Sequence, residues 1–290
     1  MANNREVDSF SGVETTGHEW DGIKELNNPL PRWWLYILYA SIIWSVGYWI
    51  AMPAWPMVSS YTQGMLGWSQ RSNVMAEVEA IKKSREPIKA KLLQASLEEI
   101  EATPDLFTFA LASGEAAFGD NCAPCHGSGA QGAVGYPNLN DDEWLWGGAL
   151  SDIEYTITHG IRNENFDSRY SEMPAFLQVG TVDRKELSDL TDYVLLISDQ
   201  EPSSEAAAAR GQGLYVTHCE SCHAADGTGD REQGAPSLVD QIWLYGSDRE
   251  SIQSTIANAR NSTMPQWGER LDPSTIKALA VYVHALGGGE

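Results

Sequence analysis

The sequence predicts an all-α protein in which one apolar helix is followed by two copies of a small helical unit. Three observations support this organisation: an uncharged apolar stretch at 33–55, a C-x-x-C-H motif that occurs twice, and apolar residues at helical spacing near the end of the first copy. The chain has 290 residues, which is enough for about two small domains.

The formal net charge of −21 argues against a nucleic-acid-binding protein, because such proteins need a basic surface. An acidic field attracts basic proteins, although solubility alone is an alternative explanation. Residues 104–201 hold 4 basic and 17 acidic residues, whereas residues 202–290 hold 6 and 11. The first unit is therefore predicted to contribute more to steering a basic partner protein.

The four cysteines occur only in the sequences CAPCH and CESCH. A zinc site usually brings its cysteine pairs within roughly 15–20 residues, and a redox pair expects a βαβ setting; neither pattern is present. C-x-x-C-H is the attachment motif of c-type haem, in which two thiols bond the vinyl groups and the His ligates the iron. The sequence thus predicts two covalently attached c-type haems. The predicted haem-binding residues are Cys122, Cys125, His126, Cys219, Cys222 and His223.

Each motif is followed by one Met-Pro pair, at Met173 and Met264. The Pro disfavours helix at the Met, which suits a loop that carries a thioether into a haem face. His/Met ligation raises the reduction potential of the iron and fills both axial positions. We predict Met173 and Met264 as the sixth ligands, one for each motif in sequence order. Loop packing is the alternative for both, and His159 is a rival for Met173.

The motifs belong to a longer internal repeat. Pro137 and Trp144 of the first copy match Pro236 and Trp243 of the second, each 99 residues later. Each copy reads as a helix leading into the motif, a loop, a second helix, a loop with the Met, and a last helix. This is the layout of a small class I cytochrome c, so two tandem cytochrome c domains are predicted at 104–201 and 202–290.

Helix start signals support this layout. Ser151 and Asp248 are predicted N-caps for the middle helices. Pro273 stands at the predicted first turn of the last helix, where its missing N–H is harmless.

The stretch 33–56 is predicted to be a transmembrane helix. The 23 uncharged residues 33–55 would span roughly 35 Å, enough for a hydrocarbon core of about 30 Å. Trp residues cluster near both ends, as in an aromatic belt. A cleaved signal peptide is the alternative, but its apolar core would be about 7–15 residues.

Arg32 flanks the stretch, and the next basic residue is Arg71, which weakly favours a cytoplasmic N-terminus. Bacterial c-type haem is attached outside the cytoplasm. We therefore expect a protein of the bacterial inner membrane with residues 1–32 cytoplasmic and both haem domains periplasmic. Residues 57–103 are predicted to form a helical connector broken near Pro87, either as a spacer or as a docking surface for another subunit.

The N-terminal sequence GHEWDGIKELNNPLPRWWLYILYASIIWSVGYWIAMPAWP resembles the start of the dihaem P subunit of cbb3-type cytochrome c oxidases, the CcoP/FixP family. The resemblance covers essentially the whole chain. It implies an electron-transfer subunit of a proton-pumping, O₂-reducing oxidase, without oxygen chemistry of its own. It also implies as partners a catalytic subunit with b-type haems and copper, a monohaem cytochrome c subunit, membrane lipid, and cytochrome c or quinol–cytochrome c reductase as the donor.

Two other functions remain open at the level of the sequence. An anchored dihaem cytochrome could serve another periplasmic dehydrogenase. A dihaem peroxidase or a thiosulfate-oxidising cytochrome would need one iron with an exchangeable or unusual axial site.

Overall fold

The computed structural model describes residues 5–288, which divide into two compact units between Ser84 and Arg85. The described residues form a hairpin of two strands followed by eleven helices. The strands are β1 (Thr15–Trp20) and β2 (Ile23–Leu26). The helices are α1 (Arg32–Ala51), α2 (Gln70–Gln94), α3 (Leu97–Ala102), α4 (Pro104–Asn121), α5 (Ala123–His126), α6 (Leu150–His159), α7 (Arg184–Ile197), α8 (Glu205–His218), α9 (Glu220–His223), α10 (Arg249–Asn258) and α11 (Pro273–His284).

The hairpin is a β element that the sequence analysis did not predict. β1 and β2 are antiparallel, with Trp20 opposite Ile23. Asp21 and Gly22 form the turn with φ of 50° and 84°. Positive φ at both central residues matches the right-handed twist of the strands, and Asp-Gly is a strong hairpin signal.

Helix α1 carries the apolar stretch. It has 20 residues, a mean hydropathy of 1.4 and no residue buried against the rest of the protein. At about 1.5 Å per residue it is about 30 Å long, which matches the hydrocarbon core of a bilayer. The helix ends at Ala51, earlier than predicted, because Pro53 follows its cap and cannot continue the helical hydrogen bonds.

The predicted break of the connector at Pro87 is wrong. α2 continues through Pro87 to Gln94, and the chain breaks instead before α3. Ser96 caps α3 in a capping box with Glu99. This capping box determines where the new helix begins more strongly than Pro87 does. Leu92 is fully buried beside α3, so the end of the connector belongs to a hydrophobic core.

The unit that begins at Arg85 contains two hydrophobic cores. The first core combines buried residues of α2 to α4, α6 and α11, and the second core combines those of α7, α8 and α10. The last helix of each sequence repeat therefore packs against the first helix of the other repeat. The predicted boundary between 201 and 202 marks the end of a sequence repeat, but it does not separate the two cores.

The two helix crossings share one geometry. A Cβ on Gly114 of α4 would collide with the carbonyl of Ala278 on α11, and a Cβ on Gly211 of α8 would collide with the carbonyl of Asp189 on α7. Helices cross this closely only where a residue lacks a side chain. In both cores a first helix thus packs closely on a last helix, and the two helices belong to different repeats.

Helix caps agree with the sequence in all but one case. Asp248 caps α10 by accepting from the amide of Ser251 at 2.9 Å, and Pro273 occupies the first turn of α11. Ser151 is not an N-cap, because α6 starts at Leu150 after the N-cap residue Ala149, two residues earlier than predicted and without a side-chain cap. Burial of Leu150 in the first core replaces the missing cap as the stabilising contact.

Candidate haem-binding sites

Each C-x-x-C-H motif begins at the residue that ends a long helix. Cys122 caps α4, and the amides of Cys125 and His126 donate to its carbonyl oxygen at 3.1 and 2.9 Å. The second motif repeats both bonds at the same distances after α8. Residues three apart lie on one side of a helical turn, so both thiols can reach the same edge of a macrocycle.

The two motif histidines have the same hydrogen-bond partner. His126 donates from Nδ1 to the carbonyl of Pro137 at 3.1 Å, and His223 donates to the carbonyl of Pro236 at 2.9 Å. This bond fixes the tautomer and leaves Nε2 free to ligate iron. Burial lowers the pKa of both histidines despite the proline carbonyls, which keeps the imidazoles neutral, as metal ligation requires.

The cysteines do not have the properties of a redox pair. Burial raises the pKa of Cys122 and of Cys219 to about 11, with a smaller effect from the second cysteine of each motif. A redox C-x-x-C pair needs a lowered thiol pKa. Within residues 5–288 no group of three or more His, Cys, Asp or Glu side chains is placed so that it could hold a metal ion.

A mainly apolar cavity in the second core contains the side chains that a c-type haem requires. Cys219, Cys222 and His223 line it together with the thioether side chain of Met173. Buried apolar side chains supply much of the remaining wall: Phe176, Leu190, Val194, Ile252 and Ile256. The cavity thus offers two thiols, an imidazole and a thioether within apolar surroundings, which is the donor set of a His/Met c-type haem.

The first core brings together the corresponding groups of the other motif. Met264 and Cys122 both pack against it, as do Leu139 and Trp144. His159 packs against Tyr155 with ring centroids 4.5 Å apart and an interplanar angle of 43°, and it does not line the cavity that contains Met173. The structure therefore brings each predicted Met to the cysteine motif of the other repeat.

Comparison with known proteins decides the family. The family model for the N-terminal domain of cytochrome oxidase-cbb3, FixP, matches residues 12–59, and that for cytochrome c oxidase, cbb3-type, subunit III matches residues 109–194 and 206–283. The cbb3-type cytochrome c oxidase subunit FixP of Azorhizobium caulinodans is 52% identical over 98% of this chain and 96% of its own length. The chain belongs to the FixP/CcoP family of cbb3-type oxidase subunits.

Two further relatives cover nearly the whole chain. FixP of Bradyrhizobium diazoefficiens is 50% identical over 100% of both chains, and CcoP of Cereibacter sphaeroides is 48% identical over 95% of both. The resemblance seen in the N-terminal sequence is confirmed, as is the all-α class with two cytochrome c domains. Membership of the FixP/CcoP family also confirms covalently bound c-type haems as the cofactors and supports α1 as a membrane anchor.

The sequence analysis missed an Arg-Asn pair that precedes each Met. Arg162 and Arg260 both line the cavity of the second core. Arg162 donates to the carbonyls of Ser262 at 2.7 Å and Ser171 at 2.9 Å, which ties the two Met loops together. The Arg-Asn pairs at 162–163 and 260–261 lie 98 residues apart. This spacing is close to that of the internal repeat and could have identified them from the sequence.

Proposed function

We propose that this FixP/CcoP chain is a membrane-anchored dihaem cytochrome that passes electrons toward the catalytic subunit of a cbb3-type oxidase and reduces no O₂ itself. The observation that carries the proposal is the cavity in which His223, fixed by the Pro236 carbonyl, and the thioether of Met173 accompany both motif thiols. Such a donor set provides two axial ligands and leaves no position for a substrate.

Each protein group has a defined task. Cys122, Cys125, Cys219 and Cys222 would hold the macrocycles by thioether bonds, while the motif histidines would ligate iron through Nε2. A bound c-type haem would supply a one-electron redox centre whose potential depends on its ligands. The Met side chains would provide the remaining ligands and keep exogenous ligands away from the iron. Arg162 and Arg260 supply guanidinium groups suited to the carboxylates of a haem in the second cavity.

The proposed partners are the catalytic haem b/copper subunit, a monohaem cytochrome c subunit, and a basic donor such as cytochrome c or the quinol–cytochrome c reductase. The acidic charge of residues 104–201, net −13, supports a basic donor. Electron transfer from the donor should slow as salt rises, since the screening length is only about 10 Å at 0.1 M. A rate that is independent of ionic strength would contradict this donor assignment.

The purified holo-chain tests the electron-transfer role. We expect it to take up one electron per haem from reduced cytochrome c, with no O₂ uptake, no peroxide turnover and no carbon monoxide complex in the ferrous state. Carbon monoxide binding together with peroxide turnover would favour a dihaem peroxidase. Purification in mild detergent should recover the chain with an O₂-reducing subunit; recovery with a dehydrogenase instead would overturn the partner assignment.

We further propose that the N-terminus is cytoplasmic and the haem cores are periplasmic, across the bacterial inner membrane. Since haem attachment occupies the four native cysteines, one introduced cysteine can be labelled alone. In intact cells, a membrane-impermeant maleimide should label Val58→Cys, whose position is fully exposed, but not Ser11→Cys. The reverse pattern would overturn this orientation.

A further inference from the structure

We infer that the hairpin of β1 and β2 is a docking surface for another membrane subunit of the oxidase, which it meets at that subunit's basic cytoplasmic loops. The apolar pair Trp20 and Ile23 forms the centre of this surface, and acidic side chains around the pair complement the basic loops. The inference rests on the proposed orientation, which places the hairpin in the cytoplasm. Maleimide labelling tests that orientation separately.

The segment that contains the hairpin buries none of its apolar side chains. Within the described residues 5–31, Thr15 alone is buried. Trp20 is 66% exposed and Ile23 is 72% exposed, although they lie directly opposite each other next to the turn. A two-stranded hairpin is only marginally stable in water unless an apolar face packs against another element. Nothing in residues 5–288 covers this pair, so the hairpin requires a partner from outside the chain.

The hairpin nevertheless has a defined shape. The segment that precedes it folds onto β1, where the amide of Thr15 donates to the carbonyl of Glu6 at 2.7 Å. Lys24 of β2 forms an ion pair with Glu6 and joins the same segment to the second strand. These contacts hold the backbone without using the side chains of Trp20 and Ile23. A surface that is already ordered loses less conformational entropy when it binds a partner.

The hairpin lies close to the membrane surface. Only residues 27–31 separate the end of β2 at Leu26 from the start of α1 at Arg32. Even a fully extended connection of this length spans only about 20 Å. Pro29 and Pro31 restrict its backbone further. With the N-terminus in the cytoplasm, the hairpin is therefore level with the cytoplasmic loops of neighbouring membrane subunits.

Charge distinguishes among the partners that such a surface could take. Residues 5–31 carry six acidic and two basic side chains, which gives a net charge of −4. The cytoplasmic leaflet has a negative surface potential and repels this segment, and a second acidic hairpin would repel it as well. The cytoplasmic loops of membrane proteins, by contrast, carry an excess of Lys and Arg. A neighbouring membrane subunit is therefore the partner whose charge complements the hairpin.

One face of the hairpin combines apolar and acidic contacts. Side chains two residues apart on a strand share a face, so Glu25 lies on the same face as Ile23 and its cross-strand neighbour Trp20. Glu19 and Lys24 lie opposite each other on the other face. Trp is among the residues that contribute most to binding when it fills an apolar pocket of a partner. The face with Trp20 thus offers an apolar anchor beside a carboxylate that can bind a Lys or Arg side chain.

The test uses the full-length chain in its native oxidase, with the photoreactive residue p-benzoylphenylalanine in place of Trp20. This replacement keeps an aromatic side chain beside Ile23, so the hairpin should still fold. After illumination of the membranes, we expect a cross-link to another oxidase subunit. Mass spectrometry should locate the bond in a cytoplasmic loop that is rich in Lys or Arg.

The other cross-linking results would overturn the inference. Products with lipid, with a second copy of the chain or with no partner would do so while leaving the proposed electron-transfer role intact. A bond to a periplasmic loop would overturn the proposed orientation together with the docking surface.

A matched pair of aromatic variants measures the importance of the apolar anchor. Trp20→Ala should lower the recovery of the other oxidase subunits with the chain several-fold in mild detergent. Phe10→Ala removes a side chain that is 99% exposed in the turn before β1, and it should leave this recovery unchanged. Haem content and reduction by cytochrome c should stay the same in both variants, which separates docking from electron transfer. Equal recovery with the two variants would contradict the docking surface.

A second matched pair tests the charge of the docking face. Glu25→Gln should lower the recovery of the other subunits more than Glu19→Gln, which removes the same charge from the opposite face, and Glu25→Lys should lower it further. Raising the salt concentration should weaken the association of the native chain more than that of the Glu25→Gln chain, because salt screens the lost attraction. Equal effects of the two Gln variants would overturn the assignment of docking to this face.

Discussion

The two cores differ most in the side chains at their helix contacts. The first core is built around α4, α6 and α11, and the second core is built around α7, α8 and α10. In the second core, buried Asp189 forms a bidentate pair with Arg210 at 2.6 and 2.8 Å, and fully buried Asp192 pairs with Arg249 at 2.7 and 3.0 Å. The equivalent positions of the first core are Ala278, Ser113, Val281 and Leu150.

This difference explains how two similar helices select different partners. If α7 packed on α4 and α6, Asp189 and Asp192 would be buried opposite Ser113 and Leu150, without a cation. An unpaired buried carboxylate costs several kcal/mol, so this arrangement is disfavoured. The buried charges thus disfavour the alternative helix pairing more than they stabilise the observed one.

The cores also differ in whether their residues come from one continuous segment of the chain. This difference predicts the largest effect on folding. The second core lies within one segment, 173–257, whereas the first core needs α11 from the end of the chain. A fragment of residues 104–201 loses the buried side chains of Ile276, Leu279, Val281 and Val283, each worth about 1.5–3 kcal/mol. Their sum is comparable with the whole stability of a domain.

We therefore expect fragment 104–201 to be unfolded and fragment 160–262 to fold with one haem, as measured by circular dichroism and haem absorbance. A folded 104–201 fragment that unfolds cooperatively would show that the repeats are independent domains.

The next largest effect should follow from breaking a buried ion pair. Arg249→Leu, which introduces the residue found at the equivalent position of the first core, leaves Asp192 without its cation. We expect a loss of about 3–5 kcal/mol in denaturant unfolding of the second core. The double variant Asp192→Val/Arg249→Leu should recover part of this loss, because it replaces the pair with apolar groups. No recovery would mean that the amide and hydroxyl of Ser203, which also donate to Asp192, are the more important partners.

Adding a methyl group at the close helix crossing should destabilise each core by a similar amount. Gly114→Ala and Gly211→Ala each place a Cβ against a backbone carbonyl, so we expect each to lose about 1–3 kcal/mol in thermal unfolding. Gly119→Ala and Gly213→Ala in the same helices meet no atom within 4 Å and should gain about 0.5–1 kcal/mol. Equal effects at all four positions would argue against the two close crossings.

The smallest effect concerns pH. Hydrogen bonds from Arg210, with help from Lys185, lower the pKa of Asp189 from 3.8 to about 2. Because the folded pKa lies below the unfolded value, the contribution is present above about pH 4 and is lost as pH falls toward 2. Arg210 is half exposed, so we expect only about 1–2 kcal/mol.

The measurement is urea unfolding at pH 7 and pH 3 for the native chain and for Asp189→Asn, which carries no titrating carboxyl. The native chain should lose more stability between the two pH values than the variant does. An equal loss would assign the acid sensitivity to other carboxyl groups, such as Asp272, the N-cap of α11.

The sequence by itself determined the parts of this protein that depend on covalent chemistry and local spacing. The C-x-x-C-H spacing predicted the thiols and the motif histidines, and the uncharged stretch predicted α1. Local caps at Asp248 and Pro273 were readable, because a cap depends only on residues within one helical turn. The Asp-Gly hairpin was equally local and was overlooked.

Only the tertiary structure decided which copy of each repeated element pairs with which. The helices α7 and α11 are equivalent in the two repeats, and α4 and α8 carry equivalent glycines. By sequence pattern either last helix could pack on either first helix, so periodicity cannot choose between α7 and α11. The choice follows from long-range contacts: Asp189 and Asp192 need the cations on α8 and α10, and the Met loops cross where Asn163 and Asn261 hold them. These contacts join residues about 20 to 100 positions apart, where no local rule operates.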